Sequence, residues 1–428
     1  MWTKGFSSLG LLLLAVAVCA AVPIRGQESG PQNRQPVQLP PGEGKATVQA
    51  TCGICHSLTQ VTNAGYDRAG WDTVLHMMVN VGAPLPHDQF DTALNYLAAK
   101  FPPKPQPVAK IIPGPARVAI KEWVVPTPGT RPHDPMYAPD GSVWYSGQMA
   151  NVLGRFDPKT QTFKEYKLPP RSGPHGLIAD TNGNVWYTAN FAAYIGRLDP
   201  STGAVTKYPM PDPKARDPHT LLFDGPDRIF FTVQGGNMVG RLDVRTGDIK
   251  LMTSPTPRSN PYGMVITSKG IPYFAEFGSN KIASIDPQTL AIHEYVLPHA
   301  ASRPRRVAIT PDDVIYYSDY ARGYLGRLDT KTGAMTEWPS PGGPKSEPYG
   351  ITVVNGIVWY SESNTKPNTI VRFDPKTERF QTWAIPSGGG VVRNMVHTPD
   401  GSTLWIACSG RNRIGEVQLA GANIPHKN

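Results

Sequence analysis

Gly154-Arg155-Phe156-Asp157 returns as Gly196-Arg197-Leu198-Asp199, Gly240-Arg241-Leu242-Asp243 and Gly326-Arg327-Leu328-Asp329. Weakened copies begin at Ala283, Val371 and Gly415, so the seven starts lie 42, 44, 43, 43, 45 and 44 residues apart. A period of this length marks a four-stranded propeller blade. Each unit holds an apolar inner strand and a second strand such as Ser142-Val143-Trp144-Tyr145-Ser146. The Gly-Arg strand follows, then an outer strand such as Lys164-Glu165-Tyr166-Lys167-Leu168-Pro169. That outer strand is missing after Gly415, and its counterpart stands before the first repeat as Lys121-Glu122-Trp123-Val124-Val125-Pro126. The N-terminal strand therefore completes the last blade and removes the open sheet edges. The expectation is a seven-bladed β-propeller over residues 117–424.

Upstream of the repeats the texture differs. Residues 102–115 hold six prolines, so 102–116 reads as a stiff linker. Before it, residues 42–101 carry helical spacing. Trp71, Val74, Leu75 and Met78 share one face of a helix from Arg68 to Val79, and Phe90, Leu94 and Leu97 share one face of a second from Asp88 to Lys100. A short helix over 44–51 leads into Cys52-Gly53-Ile54-Cys55-His56. Two thiols three residues apart reach both vinyl groups of one haem edge, and the following imidazole coordinates the iron. A zinc site would need a second ligand pair and a thioredoxin-like motif a βαβ context; both are missing.

The N-terminus reads as a signal peptide, residues 1–26, with Lys4 before the apolar run Leu9–Val18. No later run is long enough for a membrane-spanning helix. Residues 27–41 are polar and Pro-rich, and disorder is expected there. The chain of 428 residues has 42 Gly and 45 Pro, which suits many tight turns, and a formal charge of +9 spread without a basic block. Nucleic acid is not an expected partner of a periplasmic or secreted protein. Cys408 reads as a buried strand residue.

The order of Cys52-Cys55-His56, then Trp71, Val74, Met78 and Gly82, then Tyr96-Leu97-Ala98 resembles single-haem c-type cytochrome domains. The resemblance implies one covalent haem c, with Met78 opposite His56 on the iron; Met77, His76 and His87 are the rivals. The expected fold class is then a small all-α cytochrome c domain followed by an all-β seven-bladed propeller. The repeats, with Pro174-His175-Gly176-Leu177 and Asn184-Val185-Trp186-Tyr187, resemble the streptogramin B (virginiamycin B) lyase family. That resemblance implies opening of a cyclic depsipeptide by a His base beside a carboxylate-held Mg²⁺.

Aligning the blades puts His133, His175, His219, Tyr262, Arg305, Tyr349 and Arg393 at the loops leading into the inner strands. Glu276, Asp319 and Glu362 stand at the loops leaving the second strands. Together they form a candidate mouth. The family's Glu-Pro-His occurs here as Glu347-Pro348-Tyr349, with Glu362 near the place of its other carboxylate, while Asp217-Pro218-His219 keeps an acid and a His. No blade retains the complete set, which speaks against streptogramin elimination and against Mg²⁺. Three functions follow: electron transfer from the haem to a redox partner or a substrate oxidised at the mouth, which is favoured; a carbon–oxygen lyase with an accessory cytochrome domain; and a binding propeller with the haem as redox relay.

Overall fold

The computed structural model describes residues 37–420. The expected signal peptide, residues 27–36 and the end of the expected propeller at 421–424 lie outside the described residues. Four helices come first: α1 (Lys45–Cys52), α2 (Thr59–Asn63), α3 (Arg68–Asn80) and α4 (Phe90–Lys100). α3 starts where the Asp67 carboxylate accepts the Gly70 N–H at 2.7 Å, an N-cap that satisfies one orphan donor. Trp71, Leu75, Leu94 and Leu97 meet in one core, and the Trp71 indole donates to the Phe101 carbonyl at 2.8 Å. Two expectations change here. Leu39 is buried in this core and Pro40 accepts from the Tyr96 hydroxyl, so the last residues of the segment expected to be disordered are packed. Helix α2 went unforeseen, because one turn leaves no periodicity to read.

The propeller has seven four-stranded antiparallel sheets. The repeat now has a physical reason. Gly154, Gly196, Gly240 and Gly326 each pair across the ladder with an aromatic residue of the second strand: Tyr145, Tyr187, Phe231 and Tyr317. Each ring lies over its glycine so closely that a Cβ would sit 1.9–2.2 Å from ring carbon. The Asp closing the motif turns the chain into the outer strand; Asp329 accepts the N–H groups of Lys331 and Thr332 at 3.0 and 3.1 Å. Closure is as read: Arg117–Val124 pairs antiparallel with Arg413–Ala420, Trp123 opposite Ile414. The Trp123 ring lies 5.9 Å from Trp405, inside the seam it seals.

The Pro-rich stretch is extended, as its prolines require, but it is docked. The Lys366 N–H donates to the Pro107 carbonyl at 2.8 Å, and Ile112 exchanges hydrogen bonds with Thr382 on the outer strand of blade 6. The helices consequently fold back over one end of the ring. Arg411 of blade 7 grips Asp67 with two bonds of 3.0 Å, and Asn80 donates to the Pro128 carbonyl at 2.8 Å. Gly129, with φ of 65°, comes so close to α3 that a Cβ there would be 2.4 Å from the Met77 nitrogen.

A plugged channel beneath a capped mouth

Every innermost strand carries the same irregularity. The ladder slips between Pro132 and Pro135, Pro218 and Leu221, Pro304 and Val307, Val392 and Met395, and at the matching points of the other three blades. The two residues inside each slip leave the ladder and turn toward the axis. Positive φ values precede them, at Arg131 (53°), Asp217 (64°), Asn260 (50°), Glu347 (52°) and Val391 (77°). Backbone of this kind is strained for non-glycine residues and persists where surrounding structure imposes it. Two layers of side chains therefore converge on the channel.

The outer layer is the row read from the sequence. His133, His175, His219 and Tyr262 lie ring against ring, centroids 3.8, 3.7 and 3.8 Å apart and planes tilted by 46°, 43° and 47°. The Tyr262 and Tyr349 hydroxyls hydrogen-bond across the axis. The Arg305 guanidinium lies 3.8 Å from the Tyr349 ring centre and 4.3 Å from that of Tyr320, cation–π contacts that replace a counter-ion. His133, His175, His219, Tyr262 and Tyr349 are all at most 3% exposed. The candidate mouth is thus a plug. Seven strands converging on one axis leave an opening that flat rings fill.

The inner layer was missed. Its row is Asp134, Gly176, Thr220, Gly263, Arg306, Gly350 and Asn394. Arg306 reaches across the channel to Asp134 at 2.7 Å, both nearly inaccessible, and donates to Thr220 at 3.4 Å. The signal was available one residue beyond each aligned mouth position, where a lone acid and a lone base stand in a row of small neutral residues.

This pair sets the electrostatics. His133 shares Asp134 at 2.9 Å, with His175 3.8 Å from its other oxygen. Burial, and then Arg393, Arg131, Arg306 and Arg305, nevertheless hold His133 well below the usual histidine range. Burial likewise lowers His175 and His219, each disfavoured further by its histidine neighbour. The carboxylate is the counter-ion of Arg306, and the imidazoles are neutral. His133, Asp134 and His175 offer three ligand atoms within 4.8 Å of one another. With a guanidinium already on Asp134, however, a metal ion would meet a fixed positive charge.

The second-strand carboxylates do not face the mouth. Glu362 is fully buried in blade 6, accepting from Ser340 Oγ at 2.6 Å, the Gly342 N–H at 2.5 Å and Thr369 Oγ1 at 2.7 Å. Glu276 takes Ser254 and Ser279, and Asp319 takes the Arg303 N–H and Arg322. Each stands in the ladder directly opposite the proline before the slip, and its side chain points into the loop beside it. Saturated by these donors, they do not fit the carboxylate set that a Mg²⁺ would need. Asp217 and Glu347 sit at the rim. Burial pushes Asp217 up to about 7 against the hydrogen bond donated by Asn190, and Glu347 accepts from the Tyr320 hydroxyl at 2.5 Å. Burial raises the Tyr349 phenol, but Arg305, Arg393 and Arg306 outweigh it and leave the group below the ordinary tyrosine value.

On the helix side of the plug lies a cavity of about 820 Å³. Its floor includes Arg131, Met149, Arg393 and Ser409, its side Ser363 and Asn364, and its roof Tyr66, Gly70, Val74, Met77 and Met78. On the other side of α3 a smaller pocket of about 60 Å³ gathers Cys52, Cys55, His56 and Met78 with Leu75, Val79, Val81 and Leu85. Met78 alone of the four ligand rivals lines it. Met77 faces the larger cavity, and His76 bonds the Asp72 carbonyl and packs on Phe90.

The sequence pattern of the virginiamycin B lyase family matches residues 108–364 and 273–427. Among solved structures, selenomethionine-substituted virginiamycin B lyase from Staphylococcus aureus is 25% identical with a TM-score of 0.64, covering 71% of this chain and 99% of its own. A catalytically inactive variant of the lyase from the same organism, solved with quinupristin, gives the same identity, score and coverage. Hydrazine synthase from Kuenenia stuttgartiensis is 14% identical with a TM-score of 0.58, over 68% of this chain and 96% of its own, a likeness of fold alone. No curated protein matches the chain. With the seven blades closed as the repeat required and the family pattern running from the linker through the last blade, the chain belongs to the virginiamycin B lyase family.

Proposed function

We propose that the protein acts on a small molecule held in the cavity between propeller mouth and helices, by elimination of the lyase type. Family membership supports this reading ahead of electron transfer, which the sequence had favoured. The observation that carries it is the location of the 820 Å³ cavity, at the end of the ring where all seven inner strands begin. The streptogramin reaction itself is not the expected one. The family's base position is Tyr349, sealed from solvent, and Glu362, near the place of the family's other carboxylate, has both oxygens already bonded. Elimination moves no net electrons. Full-length protein incubated anaerobically with ester- and ether-linked substrates should form alkene product without an electron acceptor, while quinupristin, the streptogramin comparator, should stay intact. Asn364→Trp, at a half-buried position on the cavity wall, narrows the cavity and should depress that product. Turnover that demands an acceptor, or that is undiminished in the narrowed cavity, overturns the reading.

A second reading, a haem protein exchanging electrons with a redox partner or substrate, is favoured by one observation. Cys52, Cys55, His56 and Met78 share a pocket with apolar walls, and Ile54 (65%), Val79 (39%) and Val81 (47%) stand exposed on the same helices and loops. Exposed apolar surface beside paired thiols fits a covalently held porphyrin. At 60 Å³ the pocket must open to admit one. Bound haem would supply a one-electron couple; the chain would supply thioether attachment through Cys52 and Cys55, ligation through His56 and Met78, and an apolar wall. A reduced α-band near ~550 nm, with a charge-transfer band lost in Met78→Ala, supports it; a colourless protein from a haem-maturing host removes it.

A further inference from the structure

The cavity is charged on one side of the balance. Lys104, Arg131, Lys366, Arg393 and Arg411 line it against one carboxylate, Asp67, and Asp67 is already taken by Arg411. Arg131 has no carboxylate within ion-pair distance among the described residues. Its recorded partner is the Met149 sulfur at 3.9 Å, a weak acceptor. Arg393 leaves its buried Nε without a partner and lies 5.9 Å from the Tyr349 ring centre. Burial, and then the positive charge of Arg393, pull Arg131 down to about 10. Elsewhere in the molecule buried arginines are compensated: Arg306 by Asp134, Arg322 by Asp319 and Glu337, Arg305 by four aromatic faces. Among the described residues the two at the cavity floor are the exception, and they face the 820 Å³ cavity.

We propose that this cavity binds a small molecule through an oxyanion, a carboxylate or a phosphate, received by Arg131 and Arg393. Guanidinium presents paired N–H donors in a plane that matches either group. The anion supplies the missing counter-charge and the missing acceptor together. Val391, held at φ of 77°, fixes the backbone from which Arg393 projects, as Arg131 is itself fixed at 53°. The inference names the chemistry of the ligand for the cavity reading above and rests on that reading's choice of site, without depending on the reaction performed there.

The test uses the full-length protein, with its thermal midpoint followed against sodium phosphate, sodium acetate and sodium chloride at matched ionic strength. Phosphate or acetate should raise the midpoint saturably while chloride does not, and whichever does so identifies the oxyanion. Arg131→Met and Arg393→Met should each weaken the apparent affinity by about tenfold or more, the loss of a charge-assisted bond. Arg379→Met, on the exposed outer strand of blade 6, should keep it. Removing either floor arginine also relieves like-charge repulsion, so the midpoint without anion should hold or rise. If Arg131→Met does not fold, Arg393→Met carries the comparison. Equal responses to all three salts, or undiminished affinity in both variants, overturn the proposal. Anion binding without alkene product removes the elimination and leaves this site standing; product from uncharged substrates alone does the reverse.

Discussion

Acid should loosen this protein through its channel plug, well above the range where ordinary carboxylates titrate. His133, His175 and His219 are buried and held well below their ordinary value of 6.5, so they stay neutral in the fold as pH falls, whereas in the unfolded chain they protonate near 6.5. The unfolded state then binds more protons, and stability is lost between 6.5 and the depressed folded values. From pH 7 to pH 5 each histidine costs about 2 kcal/mol and the three together about 6, at 1.36 kcal/mol per pH unit per proton. Asp217 opposes them. Its folded value of about 7 against 3.8 unfolded means that the folded state takes up the proton first, returning about 2 kcal/mol over the same interval. The net loss is roughly 3–4 kcal/mol. Urea midpoints at the two pH values, with reversibility checked, measure it. His175→Gln should shrink the drop by about 2 kcal/mol, one histidine's share. Nitrogen-15 spectra should show neutral imidazoles at pH 5. A stability that is flat from pH 7 to 5, or a drop that His175→Gln leaves intact, refutes the reasoning.

Three further outcomes follow from single contacts. Arg306→Met strands the buried Asp134 and should destabilise by about 3–5 kcal/mol in urea unfolding, while Asp134→Leu with Arg306→Met should recover most of that loss. Gly129→Ala adds a Cβ 2.4 Å from the Met77 nitrogen at a positive φ, so α3 must lift; limited proteolysis within 37–101 should accelerate while the propeller core stays resistant. Gly326→Val forces a side chain to within 2.0 Å of the Tyr317 ring and should cost about 1–3 kcal/mol, read as a lowered urea midpoint.

Much of the architecture could be read in advance because it is periodic. The seven Gly-Arg strands, the strand displaced to the front and the turn Asp are local demands repeated every 42–45 residues, and repetition makes a weak local signal strong. The helical faces of α3 and α4 were legible for the same reason. The site was legible only in part. Alignment placed His133, His175, His219, Tyr262, Arg305, Tyr349 and Arg393 in one ring, and they are in one ring. It also placed Glu276, Asp319 and Glu362 beside them, where the ladder instead turns their carboxylates into the neighbouring loops.

By itself the sequence determined the blade count, the closure and helices α1, α3 and α4, since each depends on residues close in the chain or on a fixed spacing between copies. Only tertiary structure decided that the ring of imidazoles and phenols is a plug, because burial is set by how seven distant strand starts fill one axis. The Asp134–Arg306 bond spans 172 residues and the grip of Arg411 on Asp67 spans 344, separations at which no pattern in the chain announces a partner. That grip, with the prolines laid along blade 6, brings α3 over the mouth and makes a cavity that neither part encloses alone.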